Sequence, residues 1–354
     1  MSTTESHETE SRSSSRPPKP EWYHSLARFQ ERSWSRAIWQ MVNTIVPYFA
    51  FAGLMVYSVV NEWPYWSTLA MALPAVLFLI RNFIIFHDCT HGSFMPSDRA
   101  NRIVGFFTGA LAFTAFEPWR RSHLKHHATN GQLDHRGIGD VMTMTFEEYQ
   151  AASRWQRLQY RLYRNPLVMF FLGSIYTFLI LNRFLGLRGT PAERRSVLLT
   201  NAAIASIAVL VSVFFGFGTY VAVQLPIIFV AGVFGIWLFY VQHQFDPGYW
   251  AHDEDWDSID AAMKGASHYN LPSVLRWFTG NIGIHHIHHL RPRIPSYALH
   301  RAYVATPEAH VEQPLTFWRS LAAVRYNLWS EMQSRFLSFR QAARIMRAQK
   351  RSTV

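Results

Sequence analysis

Two pairs of long apolar runs dominate the hydropathy pattern of this 354-residue chain, residues 38–60 with 66–86 and residues 197–215 with 220–240. Each is long enough to cross a hydrocarbon core of roughly 30 Å, which takes about 20 helical residues. Short turns at 61–65 and 216–218 join the members of each pair, and neither holds Lys or Arg. Arg81 lies near the end of the second run, where it has to snorkel or find a partner. By contrast the head, residues 119–164, residues 188–195 and the chain after Arg291 are rich in arginine. The positive-inside rule then puts both short turns outside and every basic segment, with both termini, in the cytoplasm.

Two further apolar runs have to be placed on this map. Residues 103–116 are too few to cross and read as an interfacial or re-entrant piece. Residues 167–185 could span, but Arg164, Asn182, Arg183 and Arg188 mark both flanks as cytoplasmic. That run is therefore expected to lie in, or dip into, the inner interface. The predicted fold is an all-α polytopic membrane protein with four transmembrane helices and a cytoplasmic helical cap. A head spans residues 1–36, the membrane domain 37–302 and a basic cytoplasmic tail 303–354.

Composition changes this picture little. Hydrophobic residues make up 49% and aromatics 16%, rich for a soluble protein. Residues 1–20 are mostly Ser, Thr, Glu, Arg and Pro, which predicts a disordered head. It has no apolar core of a signal peptide, and its three glutamates argue against a transit peptide. The net charge of +11 comes from arginines flanking the spans, with no aromatic-interleaved basic motif. It fits attraction to anionic lipid heads and excludes a nucleic-acid partner. The single cysteine, Cys89, rules out an intrachain disulfide and a CxxC site, and reads as a small packed residue.

Histidine placement carries the chemistry. Nine of the 17 histidines fall in three clusters: His87-Asp-Cys-Thr-His91, His123-Leu-Lys-His126-His127 and His285-His286-Ile-His288-His289. Rings four apart stack on one helix face, so two can reach one ion or two adjacent ions. The H-x-x-H-H pattern puts i and i+3 or i+4 on a common face and adds a flanking ring. A lone HxxxH is more often a pair of solvated or core histidines; two HxxHH copies beside it in one chain indicate metal. Imidazole suits several transition metals, so spacing does not choose the ion. At least eight rings exceed the four that zinc takes, and two metals are the simplest reading. Parity supports the map as well: were residues 167–185 to cross, the third cluster would lie across the bilayer from the second.

The stretches His87-Asp-Cys-Thr-His91-Gly-Ser, His123-Leu-Lys-His126-His127-Ala-Thr-Asn and Asn281-Ile-Gly-Ile-His285-His-Ile-His288-His289-Leu resemble the histidine boxes of the integral-membrane fatty acid desaturases. The region from about residue 38 to 300 is similar to them in order and spacing. The resemblance implies two non-haem irons held by histidines at the cytoplasmic ends of four membrane helices. It also implies that dioxygen and two external electrons serve to remove two hydrogens from an acyl chain. Phe239-Tyr-Val-Gln-His243-Gln-Phe is similar to the stretch where family members place one more histidine ligand. Breaking an unactivated methylene C–H bond calls for a strong oxidant, and paired irons can store the electrons that cleave dioxygen.

On this basis the expected iron ligands are His87, His91, His123, His126, His127, His285, His288 and His289, with His243 as the ninth. Ligating imidazoles usually give their second N–H to a carboxylate or carbonyl. Asp88, Asp134, Asp140 and Asp246 are the candidates for that role, and Asp88 and Asp140 are equally candidate helix caps. Asn281, one turn before His285, is a candidate to hold a metal-bound water. His286 is the odd ring of its cluster, and His268 is a candidate outer group but is expected at the surface. His7, His24, His135, His252, His300 and His310 lack partner spacing and are expected to be solvated. There is no His-Pro-Gly-Gly motif of a fused cytochrome, no GxGxxG and no CxxC. Electrons are then expected from an external carrier such as a ferredoxin, docking on the basic cytoplasmic face. The leading expectation is an oxygen-dependent acyl-lipid desaturase. Alternatives are a di-iron hydroxylase or ketolase, since the outcomes differ only in how the substrate radical is held, and a histidine-rich metal transporter.

Overall fold

Trp34–Val60, Tyr65–Thr90, Pro191–Phe215 and Phe217–His243 are the four helices of the computed structural model that are long and apolar enough to cross a membrane. The structure describes residues 18–137, 139–184 and 189–352; the expected disordered head as far as residue 17, His7, Leu185 and Arg188 lie outside the described residues. Every span contains its predicted apolar run and continues past it into polar sequence. The second reaches Thr90 and the fourth His243, so both carry histidines on rigid extensions of membrane helices. The third begins earlier than its apolar run, because Thr190 and Glu193 form a capping box and Pro191 occupies the first turn.

Burial ranks the spans. The apolar window of the second is 56% buried and that of the third only 11%, so the second is central and the third peripheral. Tyr48 and Met55 of the first span, Ala75 and Leu79 of the second and Val223 and Ile227 of the fourth share one core cluster. Arg81 pairs rather than snorkels: its guanidinium donates to the Trp277 carbonyl and lies 3.8 Å over the Trp277 ring.

The expected single segment at 103–116 is two helices, Asp98–Leu111 and Phe116–Thr129, folded into a hairpin. Phe113, at φ 54°, turns the chain and inserts its ring into the core cluster between the first and fourth spans. The close approach needs small residues: a Cβ on Gly109 would lie 2.6 Å from the Thr114 carbonyl and 2.7 Å from the Phe86 ring. Residues 167–183 are helical throughout, with wide turns, and bend 62° from Arg154–Tyr163. Phe170 packs on Trp237 and Tyr240, and Phe178 lies against Gly232. At its far end Arg183 donates to Asn201 and to the Phe113 carbonyl, about 15 Å along the third span from Pro191. The segment therefore dips beside the fourth span without reaching its far end.

The cap contains short strands within the helical fold. Leu328–Ser330 pairs in parallel with Met144–Thr145 and antiparallel with Arg335–Leu337, and Leu315–Thr316 pairs in parallel with Tyr269–Asn270. Residues 315–337 thus supply strands to the cap, and Phe339, Ala342, Ile345 and Met346 of the last helix join one of its core clusters. Arg164, 2% exposed, ties the layers together. It donates to the carbonyls of Met142 and Tyr326, to the Tyr240 hydroxyl and to Gln244 Oε1 at 2.6–3.2 Å. Arg164→Met takes the guanidinium from two buried side-chain acceptors, Tyr240 and Gln244, and two part-buried carbonyls, and is expected to lower stability by about 3 kcal/mol or more. Thermal unfolding of the detergent-solubilised protein measures this; an unchanged midpoint would show that Arg164 does not hold the cap to the fourth span.

Candidate metal centre

Four separate elements deliver the histidines. His87 and His91 come from the end of the second span, and His123, His126 and His127 from Phe116–Thr129. His243 ends the fourth span, and His285, His288 and His289 lie on the one-and-a-half-turn helix His285–Leu290. The structure brings all nine together in two groups. One is His87, His91, His123, His127 and His288; the other is His126, His243, His285 and His289, with ligand atoms inside each group within 4.8 Å of one another.

Helix geometry explains the division. Pairs spaced i,i+4, namely 87 with 91, 123 with 127 and 285 with 289, each share a group. The i+3 rings, His126 and His288, point about 100° away from the i+4 rings and cross to the other group. Two short helices thus straddle both groups, which one repeated pattern encodes.

The donor set fits two metal ions. Nε2 atoms of His91, His123, His127 and His288 follow one another at 3.0–3.1 Å, and those of His126, His243, His285 and His289 at 3.0–3.2 Å. A metal–imidazole bond of about 2.1 Å gives adjacent donors about 3.0 Å apart in an octahedron. Hydrogen bonding alone does not account for the contacts, because His123 Nε2 and His243 Nε2 each meet two other ring nitrogens and carry at most one proton. His87 Nε2 is buried with no hydrogen-bond partner. Burial, reinforced by neighbouring rings, holds the imidazoles of His123, His126, His127, His285, His288 and His289 well below the ordinary histidine value. Neutral imidazole is the form that binds metal.

The outer contacts only partly match the sequence expectations. Asp88 faces His87 Nδ1 at 3.3 Å through one oxygen and accepts from the Ser296 amide at 2.6 Å through the other. It therefore orients a ring and anchors the following loop. His243 Nδ1 lies 3.1 Å from the Gly265 carbonyl, so a backbone oxygen serves where a carboxylate was expected. Asp134 is a correction: it bonds the exposed His252 and the Asp253 amide, far from this role. Asp140 accepts from the Gly137 amide and closes a turn. Asp246 Oδ1 is buried without a hydrogen-bond partner. Asn281 is half-buried at φ 60° and terminates a turn; its amide donates to the Arg276 carbonyl. His286 is fully buried and turned away, Nε2 to the Ala309 carbonyl at 3.0 Å. His268 is the second correction: instead of lying at the surface it is 7% exposed, against His286 and Tyr303, and burial lowers its pKa to about 4. Cys89 is packed at 2% exposure. His24, His135, His252 and His310 are exposed and His300 half-buried.

Two residues escaped the sequence reading. Trp119 stacks on His123 with ring centroids 4.3 Å apart; the signal was its position one turn before that histidine. Gln242, 3% exposed, donates to the Ile282 carbonyl at 3.1 Å. Both line a cavity of about 270 Å³ that runs between the second and fourth spans, past Phe83, Ile236 and Phe239, to His87, His123 and His285. Its walls are otherwise almost wholly apolar. The arrangement can present a hydrocarbon to both histidine groups at once.

Residues 61–320 match the family model described as fatty acid desaturase. The chain is 44% identical over 315 residues to a fatty acid desaturase of Bacillus subtilis, covering 89% of each protein. It is 27% identical to the sn-1 oleoyl-lipid 12-desaturase of Synechocystis, over 64% of each. It is 26% identical to a chloroplastic sn-2 acyl-lipid omega-3 desaturase (ferredoxin) of Arabidopsis thaliana, over 77% of this chain and 62% of that one.

The two-group arrangement makes a paired expectation. After loading with ferrous iron, His126→Ala should fall from about two metals per chain to about one, because it opens only the four-histidine group. His286→Gln should keep both. Elemental analysis reads the difference, and equal loss in the two variants would contradict the division.

Proposed function

The chain belongs to the fatty acid desaturase family, and from that footing we propose that it places a double bond in the acyl chain of a membrane lipid, using two irons, dioxygen and electrons from a separate carrier such as a ferredoxin. The observation that carries this reading is the apolar cavity that ends on His87 and His123 of one group and His285 of the other. The relatives named oleoyl-lipid and acyl-lipid desaturases support a lipid-linked substrate, and the one named with ferredoxin supports such a donor.

Bound as a pair, the irons supply electron storage for dioxygen cleavage. The nine histidines would hold them, His87, His91, His123, His127 and His288 on one side and His126, His243, His285 and His289 on the other. The remaining work is positioning. Phe83, Ile236 and Phe239 confine the chain laterally and exclude water, so that one methylene pair is held against the centre. Trp119 fixes the plane of His123, Asp88 that of His87, and the Gly265 carbonyl that of His243. Gln242 sets one polar group beside His285 in the same cavity.

Arginine-rich segments cluster at the histidine-bearing end of the spans, which supports a multi-pass protein with the centre and both termini on the cytoplasmic side. The nine candidate ligands gather at one end of the helices and do not line a path through them, which disfavours metal transport.

Lipid analysis of a host expressing the chain tests the proposal. A desaturase product is lighter than its precursor by two hydrogens, whereas a hydroxylase product is heavier by an oxygen. Gly235 lines the cavity, and a Cβ there meets nothing within 4 Å. Gly235→Phe is therefore expected to fill the tunnel and cut unsaturated product by roughly tenfold or more, with iron content unchanged. Full product from that variant would place the acyl chain elsewhere.

A further inference from the structure

Cavities that border the candidate ligands differ in kind. The apolar one takes the acyl chain. A second, beside His126 and His243, measures about 10 Å³, room for a single water. The third, about 320 Å³, borders His91 and Cys89 and is polar, with Arg32, Arg102, Arg120 and Arg293 around it. It shares no lining residue with the apolar cavity and so meets the five-histidine group from a different side.

The charge of this third cavity is unbalanced. Arg32 pairs with Asp98 at 3.3 Å, and Arg102 and Arg120 share Glu117 at 3.2 and 3.9 Å. Four guanidinium groups thus face two carboxylates, and Arg293 is exposed. The surplus is positive, open to solvent and lines the same cavity as His91 of the proposed centre.

We propose that this arginine-rimmed cavity is the docking site of an acidic one-electron carrier protein, and that electrons enter through the His91 ring. The inference rests on the desaturase reading. That reaction joins a –CH2–CH2– unit, one dioxygen, two protons and two electrons into –CH=CH– and two waters, and the carrier, oxidised one electron at a time, supplies the electrons. Complementary charge steers such partners together and sets their orientation. A lipid headgroup is the poorer occupant, because its acyl chain would have to reach the centre without passing through the apolar cavity, with which this one shares no lining residue. A second arginine-lined groove, formed by Arg154, Arg157, Arg161 and Arg347, borders none of the candidate ligand histidines.

The test uses iron-loaded full-length protein in nanodiscs of zwitterionic lipid, with an acidic plant-type [2Fe–2S] ferredoxin as the probe. Arg293→Glu and Arg102→Glu are each expected to weaken ferredoxin binding roughly tenfold at low salt, with the difference shrinking as salt rises. Iron content and dithionite-driven double-bond formation should stay at the unsubstituted level, and Arg157→Glu with Arg347→Glu should leave binding unchanged. Affinity indifferent to Arg293 and Arg102, or lost to the same extent in the groove variants, overturns the docking site. If the unsubstituted protein forms no double bond even with dithionite, the desaturase reading itself fails. If the double bond forms and only the arginine dependence is missing, the docking proposal alone fails.

Discussion

Nine imidazoles turned toward two points inside the protein are the constraint that organises everything around them. Buried ring nitrogens with no proton to share are costly unless something accepts their lone pairs. The fold accepts that cost in one place and brings four chain segments to it, the ends of two membrane helices and two short helices of the cap. A helix turn of 3.6 residues lets one H-x-x-H-H pattern serve both histidine groups, so each short helix bridges the groups and locks their separation. Moving either helix by a single residue would dismantle both groups at once.

Around that centre the surroundings are partitioned by polarity. On one side the second and fourth spans leave an apolar channel whose rings and branched side chains offer a hydrocarbon nothing to hydrogen-bond with. On another, guanidinium groups crowd a polar opening beside His91. The hairpin of Asp98–Leu111 and Phe116–Thr129 stands between the two: it bears Trp119 and His123 toward the channel and Arg102 and Arg120 toward the opening. Chain and charge therefore meet the same cluster without sharing a passage.

Much of this was legible beforehand. Membrane helices announce themselves because lipid demands a continuous apolar run, and all four were readable to within several residues. The ligand clusters were readable because four-residue spacing is a direct image of a helix face. Other features have no such local image. The strands at Met144–Thr145 and Leu328–Ser330 are too short to show alternation, and their pairing joins residues nearly two hundred positions apart. His268 looked solvated because the Tyr303 ring that covers it arrives from a distant helix. The run at 103–116 was apolar throughout, yet Phe113 turns the chain within it, which hydropathy alone does not record. Asp134 and Asp246 were plausible by chemistry and lost out to tertiary placement.

The contact between His243 and the Gly265 carbonyl has a consequence for how this site tolerates genetic drift. An acid side chain holding that ring could vanish in one nucleotide change or be silenced by a proton. A main-chain oxygen is present whatever residue occupies position 265 and stays an acceptor across the physiological acidity range. The ring is thus insured by the path of the polypeptide itself, and only an insertion, a deletion or a shift of the helix Ser258–Gly265 could withdraw its support.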